Sequence, residues 1–345
     1  MKRTEILCLA AGAIVGCAVW TSIGQAQTTQ VTLGITNSVT DVGFMVAQKR
    51  GYFRDEGLDV KFIDFDSAAR MITPMATGEM DVGSGAASAG LYNAVARGID
   101  IKIVAGKNQT PYGRPSQTLV VRKDLVASGR FKTLADLKGM RIANVAPGSS
   151  AMATMNKILE KGNLKPSDIN EVYMGFSQQI TALDNKAVDA ALPAEPQATQ
   201  SIRDGHIGVI RDYEVYPDHQ ISVLLYSGQF AKQRPEAARR FMKAFLRGVR
   251  DHEDSLVDGR FSGAKGEAII AILTEFGPIK DPQVYRSFVL STCPPDGEIN
   301  LASLKEDYAV FQKGDLLKGT ATVEQTIDPT FVNWAVKELG PYKRR

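Results

Sequence analysis

The chain has 345 residues, of which 44% are hydrophobic and 23% are charged, and 41 Lys and Arg against 38 Asp and Glu leave a formal charge of +3. This balance is ordinary for a globular protein and excludes a collagen-like or disordered chain. The near-neutral charge removes the main electrostatic argument for nucleic acid as a partner. The length allows two domains of usual size.

The first 26 residues have the features of a secretory signal. Lys2 and Arg3 precede an apolar run over residues 6–20, and Gly24-Gln25-Ala26 offers small residues before a cleavage point at Gln27. The apolar run is short for a transmembrane helix. We therefore expect residues 1–26 to be removed and the rest of the chain to be exported to the periplasm.

A lipid anchor is the alternative for the same segment. Ile14-Val15-Gly16-Cys17 resembles a bacterial lipobox, in which Cys17 would be lipidated and become the new N-terminus. Against it, Ala18-Val19-Trp20 stays apolar behind the cysteine, where lipoproteins usually turn polar. Both interpretations export the protein.

Cysteine and histidine usage gives no sign of a metal or cofactor site. Cys8 and Cys17 lie in or beside the signal, so a soluble exported chain keeps Cys293 alone and forms no internal disulfide. His206, His219 and His252 are scattered along the sequence without ligand spacing. We therefore predict neither metal nor cofactor.

Short β-branched runs alternate with amphipathic stretches, which is typical of parallel sheets covered by helices. Strands are predicted over 31–36, 58–65, 80–83 and 101–105, and helices over 44–53, 68–77 and 86–97. The same order recurs, with strands over 140–145, 171–174 and 188–192 and helices after 150 and over 177–184. This internal pseudo-repeat predicts two similar α/β lobes.

Two segments are predicted to cross between the lobes, a strand over 118–121 and a return over 221–226. The remainder is helical, with Pro235 at a first turn and an apolar stripe of Phe241, Phe245, Val249 and Leu256. Further helices are predicted over 266–276, 282–289, 304–312 and 329–339. The predicted division is a signal over 1–26, lobe 1 over 27–117, lobe 2 over 118–222, and completion of lobe 1 with C-terminal helices over 223–345.

Ligands of open parallel sheets bind beyond the carboxyl ends of the strands, so two facing lobes would place their strand-to-helix loops around one cleft. Small hydroxyl and glycine residues at helix starts expose backbone N–H groups, which favours an anion. The loops and the interlobe segment supply the candidate ligand-binding residues: Ser38, Thr40, Asp66, Gly85, Ala86, Ser88, Tyr112, Arg114, Ser149, Ser150, Phe176 and Glu195.

Several of these residues have a purely structural interpretation as well. Ser38, Asp66 and Ser149 are of the types that cap helices, and Glu195 is an acid at a helix start. The guanidinium of Arg114 could pair with a carboxylate or sulfonate, but it lies in a loop where arginine is usually solvated.

Signatures of catalysis are missing from the sequence. It has no GxSxG elbow, no GxxxxGK[ST] loop, no HExxH and no cysteine with plausible histidine support. We therefore expect a protein without enzymatic activity.

Seven segments resemble one family in sequence and in order: Gly51-Tyr52-Phe53-Arg54-Asp55-Glu56-Gly57-Leu58-Asp59-Val60, Gly78-Glu79-Met80-Asp81-Val82-Gly83, Asp136-Leu137-Lys138-Gly139-Met140-Arg141-Ile142-Ala143, Pro147-Gly148-Ser149-Ser150, Val188-Asp189-Ala190-Ala191, Glu195-Pro196 and Leu224-Leu225-Tyr226-Ser227. They are similar to the periplasmic substrate-binding proteins of ABC importers in the nitrate, sulfonate and taurine group, also called the SsuA/THI5-like or NMT1 group. The resemblance covers about residues 30–260.

The resemblance implies an α/β, two-lobed type II periplasmic-binding-protein fold, with a mixed, mainly parallel sheet flanked by helices in each lobe. It also implies a monomer that captures a small solute by hinge closure and delivers it to the permease and ATPase of an ABC importer. One branch of the family makes a thiamine pyrimidine precursor with a cysteine-rich motif, which this sequence lacks.

The ligand class stays open between two interpretations. Helix starts and the aromatic residues Phe44, Tyr112 and Phe176 favour a small organic anion, either a sulfonate or an aromatic carboxylate. The carboxylates of Asp66 and Glu195 would repel an anion unless they cap helices, which keeps a pyrimidine-like or amino-bearing solute as the alternative. A ligand-sensing module and an exported enzyme are the other classes considered.

Overall fold

The computed structural model describes residues 28–344. The predicted signal over 1–26 and the lipobox around Cys17 lie outside the described residues. Among the helices of residues 28–344, none combines the length and the apolar character needed to span a lipid bilayer.

The described chain contains twelve strands: β1 Thr29–Ile35, β2 Leu58–Asp64, β3 Val82–Gly85, β4 Ile101–Thr110, β5 Thr118–Val121, β6 Arg141–Asn144, β7 Asn170–Tyr173, β8 Ala190–Ala191, β9 Ile207–Arg211, β10 His219–Ser227, β11 Leu256–Val257 and β12 Arg260–Phe261.

Fourteen α-helices occur in the same part of the chain: α1 Val42–Lys49, α2 Tyr52–Asp55, α3 Ile72–Thr77, α4 Ala89–Ala96, α5 Lys123–Ala127, α6 Ser150–Lys161, α7 Phe176–Asp184, α8 Gln197–Arg203, α9 Gly228–Gln233, α10 Pro235–Glu253, α11 Gly263–Phe276, α12 Pro282–Ser287, α13 Leu301–Lys313 and α14 Thr330–Leu339. Short 3-10 turns precede some of them, at Val39–Asp41 before α1 and at Ala68–Met71 before α3.

Two five-stranded sheets form the two lobes. The first has the order β2-β1-β3-β10-β4, in which β1 is parallel to β2 and β3, and β10 is antiparallel to both of its neighbours. The second has the order β7-β6-β8-β5-β9, in which β6 is parallel to β7 and β8, and β5 is antiparallel to both of its neighbours. The two orders correspond strand for strand, and they confirm the predicted pair of mixed sheets flanked by helices.

The crossing strands exchange places between the lobes. β5 follows β4 of the first sheet but pairs in the second sheet, and β10 follows β9 of the second sheet but pairs in the first. The predicted division at residue 222 falls inside β10, which begins at His219. His219 and Gln220 are polar but buried, so an apolar run that starts at Ile221 marks the return strand too late.

Where one helix was predicted over 44–53, the structure has two. Helix α1 ends at Lys49, Gly51 adopts a left-handed conformation with φ +75°, and α2 begins at Tyr52. Left-handed backbone ends an α-helix, and glycine is the residue that adopts it without steric cost. The apolar spacing continues through the break, which is why periodicity alone joins the two helices.

Helix α10 packs α1 and α14 against the first sheet. Phe44 stacks on Phe245 with ring centroids 4.6 Å apart, and both rings are buried. A Cβ at Gly248 would collide with the backbone oxygen of Gly43, so the two glycines set the close approach of α1 and α10. The predicted stripe is correct from Phe241 to Val249, but Leu256 lies beyond the helix in β11.

Candidate functional site

A narrow cleft with about 50 Å³ of free space lies between the lobes, at the carboxyl ends of strands from both sheets. Thr36 follows β1, Gly85 ends β3, Val145 follows β6 and Ala194 lies just beyond β8. This is the position at which open α/β sheets bind ligands.

The first lobe lines the cleft with the starts of three helical segments. Ser38 and Thr40 come from the turn before α1, where their hydroxyl oxygens are 2.7 Å apart. Ser67 precedes the 3-10 turn that leads into α3, and Ser88 caps α4 by accepting a hydrogen bond from the backbone N–H of Leu91. Gly85 and Ala86 lie between the latter two.

The second lobe contributes the start of α6. Ser149 caps this helix, accepting from the backbone N–H of Met152 and donating to the carbonyl oxygen of Ala146. Ser150 and Ala151 follow it along the cleft wall. The first turn of an α-helix leaves backbone N–H groups without helical partners, and the helix dipole adds partial positive charge there. The capping interpretation of Ser149 is therefore correct. Ser88 caps a helix too, and both residues line the cleft.

The crossing segments complete the cleft with Ser116, Gln117, Ile221 and Ser222. The side-chain oxygens of Gln117 (Oε1) and Ser222 (Oγ) are buried and have no hydrogen-bond partner. A buried polar atom without a partner costs about 1 to 3 kcal/mol. Both atoms are therefore available to a ligand or an ordered water.

The described residues that line this cleft include none with a charged side chain: Thr36, Ser38, Thr40, Ser67, Ala68, Ala69, Gly85, Ala86, Ser88, Ser116, Gln117, Val145, Ser149, Ser150, Ala151, Phe176, Ala194, Ile221 and Ser222. Hydroxyls and helix starts form the polar part of the wall. Phe176, Val145 and Ile221 form the apolar part. The arrangement can hold a molecule with one polar end and one apolar end.

A buried ion pair supports the first-lobe wall from behind. Lys107 Nζ lies 2.6 Å from Asp41 Oδ1, and both side chains are fully buried. The other carboxylate oxygen of Asp41 accepts from the backbone N–H groups of Thr36 and Ser38, each at 3.2 Å. The pair therefore fixes the loop that carries Ser38 and Thr40 without placing a net charge in the cleft.

The lobes are closed upon each other on both sides of the cleft. The backbone N–H of Val39 donates to the carbonyl oxygen of Glu195 at 3.0 Å, and that of Ala89 donates to Gly148 at 2.8 Å. The side-chain amide of Gln197 also donates to the carbonyl oxygen of Asn37 at 3.1 Å. These hydrogen bonds join the two lobes across the cleft.

Eight of the twelve predicted site residues line this cleft: Ser38, Thr40, Gly85, Ala86, Ser88, Ser149, Ser150 and Phe176. Asp66 lies in an adjoining opening, where its half-exposed carboxylate is 3.9 Å from Arg70 Nε. Tyr112 is 82% exposed and makes an edge contact with the ring of Tyr213. Asp66 shares that opening with Phe176, whereas Tyr112 lines neither the cleft nor the opening.

Arg114 and Glu195 also lie outside the cleft, and each has a structural partner. Arg114 donates from Nε to the carbonyl oxygen of Leu290 at 2.7 Å and from Nη2 to that of Ser291 at 3.2 Å. Glu195 accepts from the backbone N–H of Thr199 at 3.0 Å, as an acid at the start of α8. Burial raises the pKa of Glu195 to about 7, and the nearby charge of Asp212 adds to the effect.

Sequence reasoning missed the crossing-segment residues, Ser116, Gln117 and Ser222 among them. The crossing strands themselves were predicted, and a strand that passes between two lobes runs under the cleft. Polar residues at such a crossing are a signal that could have identified them.

One further group of metal-binding side chains lies away from the cleft. His252, Glu253 and Cys293 each offer a ligand atom, and these atoms lie within 4.8 Å of one another. His252 is buried, in keeping with its interpretation as a packing residue, and the fold brings it close to a cysteine distant in sequence. Burial lowers the pKa of His252 to about 3, so its ring is neutral at pH 7.

Proteins of known sequence show which family this chain is similar to. The sequence model of the family described as NMT1/THI5 like matches residues 39–253. A Bacillus subtilis (strain 168) protein named for binding aliphatic sulfonates is 25% identical over 326 residues, which cover 90% of each chain. A yeast 4-amino-5-hydroxymethyl-2-methylpyrimidine phosphate synthase is 24% identical over 216 residues, covering 59% of this chain and 60% of the enzyme.

Solved structures share the fold at lower identity. The nitrate-binding protein NrtA of Synechocystis PCC 6803 superposes with a TM-score of 0.75 at 14% identity, covering 91% of this chain and 90% of that one. The alkanesulfonate-binding protein SsuA of Xanthomonas axonopodis pv. citri, bound to MOPS, gives 0.67 at 19% identity, covering 87% and 98%. The predicted type II periplasmic-binding-protein fold is confirmed.

Proposed function

Because the chain belongs to the NMT1/THI5-like family, we propose that it is the extracytoplasmic solute-binding component of an ABC importer. It captures a small organic anion, a sulfonate or an aromatic carboxylate, in the interlobe cleft and delivers it to a membrane permease driven by an ATPase. The observation that carries this proposal is the closed cleft between the lobes, lined by helix starts and hydroxyls without a charged side chain.

The cleft wall supports a negatively charged ligand. Backbone N–H groups at the starts of α4 and α6 and the hydroxyls of Ser38, Thr40 and Ser67 are neutral donors. Helix dipoles favour negative charge at these positions. No carboxylate among the lining residues repels an anion, and none is present to balance a cation.

The apolar part of the wall supports an organic ligand. Phe176, Val145 and Ile221 line the same cleft as the hydroxyl groups. Burial of apolar surface stabilises a complex by about 25 cal/mol per Å². Burial of an alkyl or aryl group against this wall therefore adds to the binding free energy of an organic anion. A bare inorganic anion has no such group to bury.

Capture requires the closed state. The ligand contacts both lobes only when the cleft is shut, so binding shifts an open and closed equilibrium toward the closed form. The hydrogen bonds of Val39 to Glu195 and of Ala89 to Gly148 stabilise that form at the rim. A permease that recognises the closed protein then distinguishes loaded from empty protein.

A second ligand class rests on Gln117. Its buried Oε1 atom is an acceptor without a partner, and a ligand amino or ring N–H group is a donor that satisfies it. A pyrimidine-like or amino-bearing solute would use this contact. The carboxylate of Asp66 lines the adjoining opening beside Gly175 and could accept a further hydrogen bond from such a solute.

A sensory module would bind the same solutes but present them to a receptor. Adjacent permease and ATPase genes distinguish an importer from a sensor.

An exported enzyme is the remaining class, and turnover tests it. The lining residues of the cleft include hydroxyls but no histidine, lysine or carboxylate to act as a general base. We expect every ligand to be recovered unchanged after incubation with the protein. Appearance of a product that depends on the folded protein would replace the binding function by catalysis.

The proposal is tested by a thermal-shift screen of the exported protein. The panel contains alkanesulfonates, aromatic and aliphatic carboxylates, nitrate, bicarbonate and aminopyrimidines. A ligand present at 100 times its dissociation constant adds about 2.7 kcal/mol to the free energy of unfolding. We expect the midpoint to rise with organic anions. A rise with aminopyrimidines alone selects the second class, and no rise with any compound contradicts both.

A further inference from the structure

A group of three side chains on the first lobe carries an inference that is independent of the cleft. His252 and Glu253 end helix α10, and Cys293 lies in the segment between α12 and α13. A ring nitrogen of His252, a carboxylate oxygen of Glu253 and the sulfur of Cys293 lie within 4.8 Å of one another. The side chains of His252 and Cys293 are buried, and Glu253 reaches the wall of a surface opening.

The second observation concerns the imidazole of His252. The residue is 1% exposed, and both Nδ1 and Nε2 are buried without a hydrogen-bond partner. Its Nε2 atom lies 3.8 Å from Oε1 of Glu253, so the ring faces the other two side chains. Buried polar atoms in native proteins nearly always have a partner, and here two on one ring have none.

We propose that His252, Glu253 and Cys293 bind a zinc ion. Sulfur, imidazole nitrogen and carboxylate oxygen are the three donors that Zn²⁺ takes in proteins, at about 2.0 to 2.3 Å. The three side chains must draw together by a short distance to reach those lengths. Zn²⁺ replaces the proton of the Cys293 thiol, and that proton passes to solvent.

The surroundings supply orientation and a route of entry. The backbone N–H of Cys293 donates to Oε1 of Glu253 at 2.9 Å, which holds the cysteine loop against the end of α10. Glu253 lines the same surface opening as Gly113 and Leu256, so metal and a fourth, water ligand reach the group from that side. Three protein ligands with one open position is a common zinc arrangement.

With zinc bound, the group and its neighbouring arginine would carry one net positive charge. A thiolate and a carboxylate neutralise Zn²⁺, but Arg114 Nη2 lies 3.8 Å from Oε2 of Glu253 and adds a positive charge. Replacing that guanidinium removes a repulsion of the metal. Arg114→Gln is therefore expected to bind zinc several-fold more tightly than the unchanged protein.

A zinc ion bound by these three residues would stabilise the first lobe near the strands that cross between the lobes. The segment before Cys293 is tied to β4, because Asn108 Nδ2 donates to Ser291 Oγ at 2.7 Å and Gln109 pairs with Thr292 through backbone hydrogen bonds. The ion would join this segment to the end of α10. We expect it to raise the thermal midpoint of the protein without entering the cleft.

The test is a zinc titration of chelator-treated, exported protein in competition with a chromophoric chelator. We expect one zinc per chain. Loss of a direct ligand in Cys293→Ser or His252→Gln is expected to weaken binding by at least about 100-fold, the upper end of what loss of an outer-shell partner costs. His206→Gln is the matched control, because His206 is a buried histidine that pairs with Asp184 instead, and its zinc affinity should equal that of the unchanged protein.

A cobalt titration reports on Cys293 directly, and it begins with the unchanged protein. Co²⁺ bound through Cys293 gives a thiolate-to-metal charge-transfer absorption in the near ultraviolet, which we expect to be present in His206→Gln and absent in Cys293→Ser. The proposal is overturned if the folded, unchanged protein binds neither metal, or if Cys293→Ser and His252→Gln, folded by circular dichroism, bind zinc as it does. The organic ligand is left out of these titrations, so their outcome is independent of the cleft.

Discussion

The backbone N–H of Ala89, at the start of α4, donates to the carbonyl oxygen of Gly148 on the opposite lobe at 2.8 Å. Gly148 has φ +62°, and a Cβ on it would lie 2.7 Å from the Cβ of Ala89. The two lobes therefore meet here through backbone alone. A side chain at Gly148 would therefore oppose the close approach of the two lobes.

Gly148→Ala is expected to hinder closure and weaken ligand binding by about 10-fold, or about 1.4 kcal/mol. It also places a Cβ in left-handed backbone, which costs about 1 to 2 kcal/mol of stability. Gly139→Ala is the matched control, because Gly139 has φ +75° but nothing within 4 Å of the added Cβ. Calorimetric titration should show weaker binding in the first variant alone. Equal loss in both would mean that the strain of the backbone, not the interlobe contact, governs affinity.

Ser149→Ala should separate the two roles of a capping residue at the cleft. Loss of the cap is expected to lower the free energy of unfolding by about 1 kcal/mol and, because Ser149 lines the cleft, to weaken ligand binding as well. Ser227 caps α9 in the same way, accepting from the backbone N–H of Phe230 away from the cleft. Ser227→Ala should lose comparable stability in a denaturant titration and keep full affinity. Full affinity in Ser149→Ala would remove that hydroxyl from the site.

Ser222→Ala tests whether the unpartnered hydroxyl in the cleft meets the ligand. The hydroxyl oxygens of Ser222 and Ser201 are both buried without a partner, but only Ser222 lines the cleft. Removing such a group costs the unliganded protein little. We expect Ser222→Ala to weaken binding about 5- to 10-fold, the value of one hydrogen bond, and Ser201→Ala to leave the dissociation constant unchanged. The opposite order would place the ligand elsewhere.

The stability of the protein should depend on pH through Glu195. Burial raises the folded-state pKa of this carboxyl from 4.5 to about 7, so the folded protein holds its proton more tightly than the unfolded chain does. The free energy of unfolding therefore falls as pH rises from about 4.5 to about 7. Glu195→Gln removes this loss and should be more stable than the unchanged protein at pH 8, by up to about 3 kcal/mol.

The same comparison at pH 4.5 provides the control for Glu195. Both proteins carry an uncharged side chain there when folded, and Gln can accept the hydrogen bond that Thr199 donates. Their denaturant midpoints should then nearly coincide. A difference that is constant from pH 4.5 to pH 8 would show that Glu195 does not titrate in this range.

The architecture could be predicted from the sequence because strand and helix periodicities repeat in both lobes. Helix boundaries were harder to predict from the sequence. The apolar spacing runs through Gly51, and only the left-handed backbone of that residue ends α1. Loop residues such as Ser88 and Ser149 could be predicted because they lie between a strand and the helix that follows it. A position at a helix start depends on neighbouring residues in the sequence, so the sequence pattern can predict it.

Partners from distant parts of the chain could not be predicted in this way. Arg114 reads as a free loop cation, but its guanidinium donates to the carbonyl oxygen of Leu290, 176 positions away. His252 meets Cys293 for the same reason: α10 ends where a later segment returns to the first sheet. Pairings of this kind depend on tertiary packing, which periodicity and spacing do not encode.

Calorimetric titration of the protein without residues 1–26 tests the central claim most directly. The two ligands are an alkanesulfonate and the uncharged sulfonamide of the same chain length. The two compounds share their apolar part and differ in charge, so the comparison isolates the anion-binding end of the cleft. The account predicts one bound sulfonate per chain, at least about 10-fold tighter than the sulfonamide, with the same order for an aromatic carboxylate and its amide. Equal affinity for each acid and its amide, or no binding of any organic anion, would contradict it.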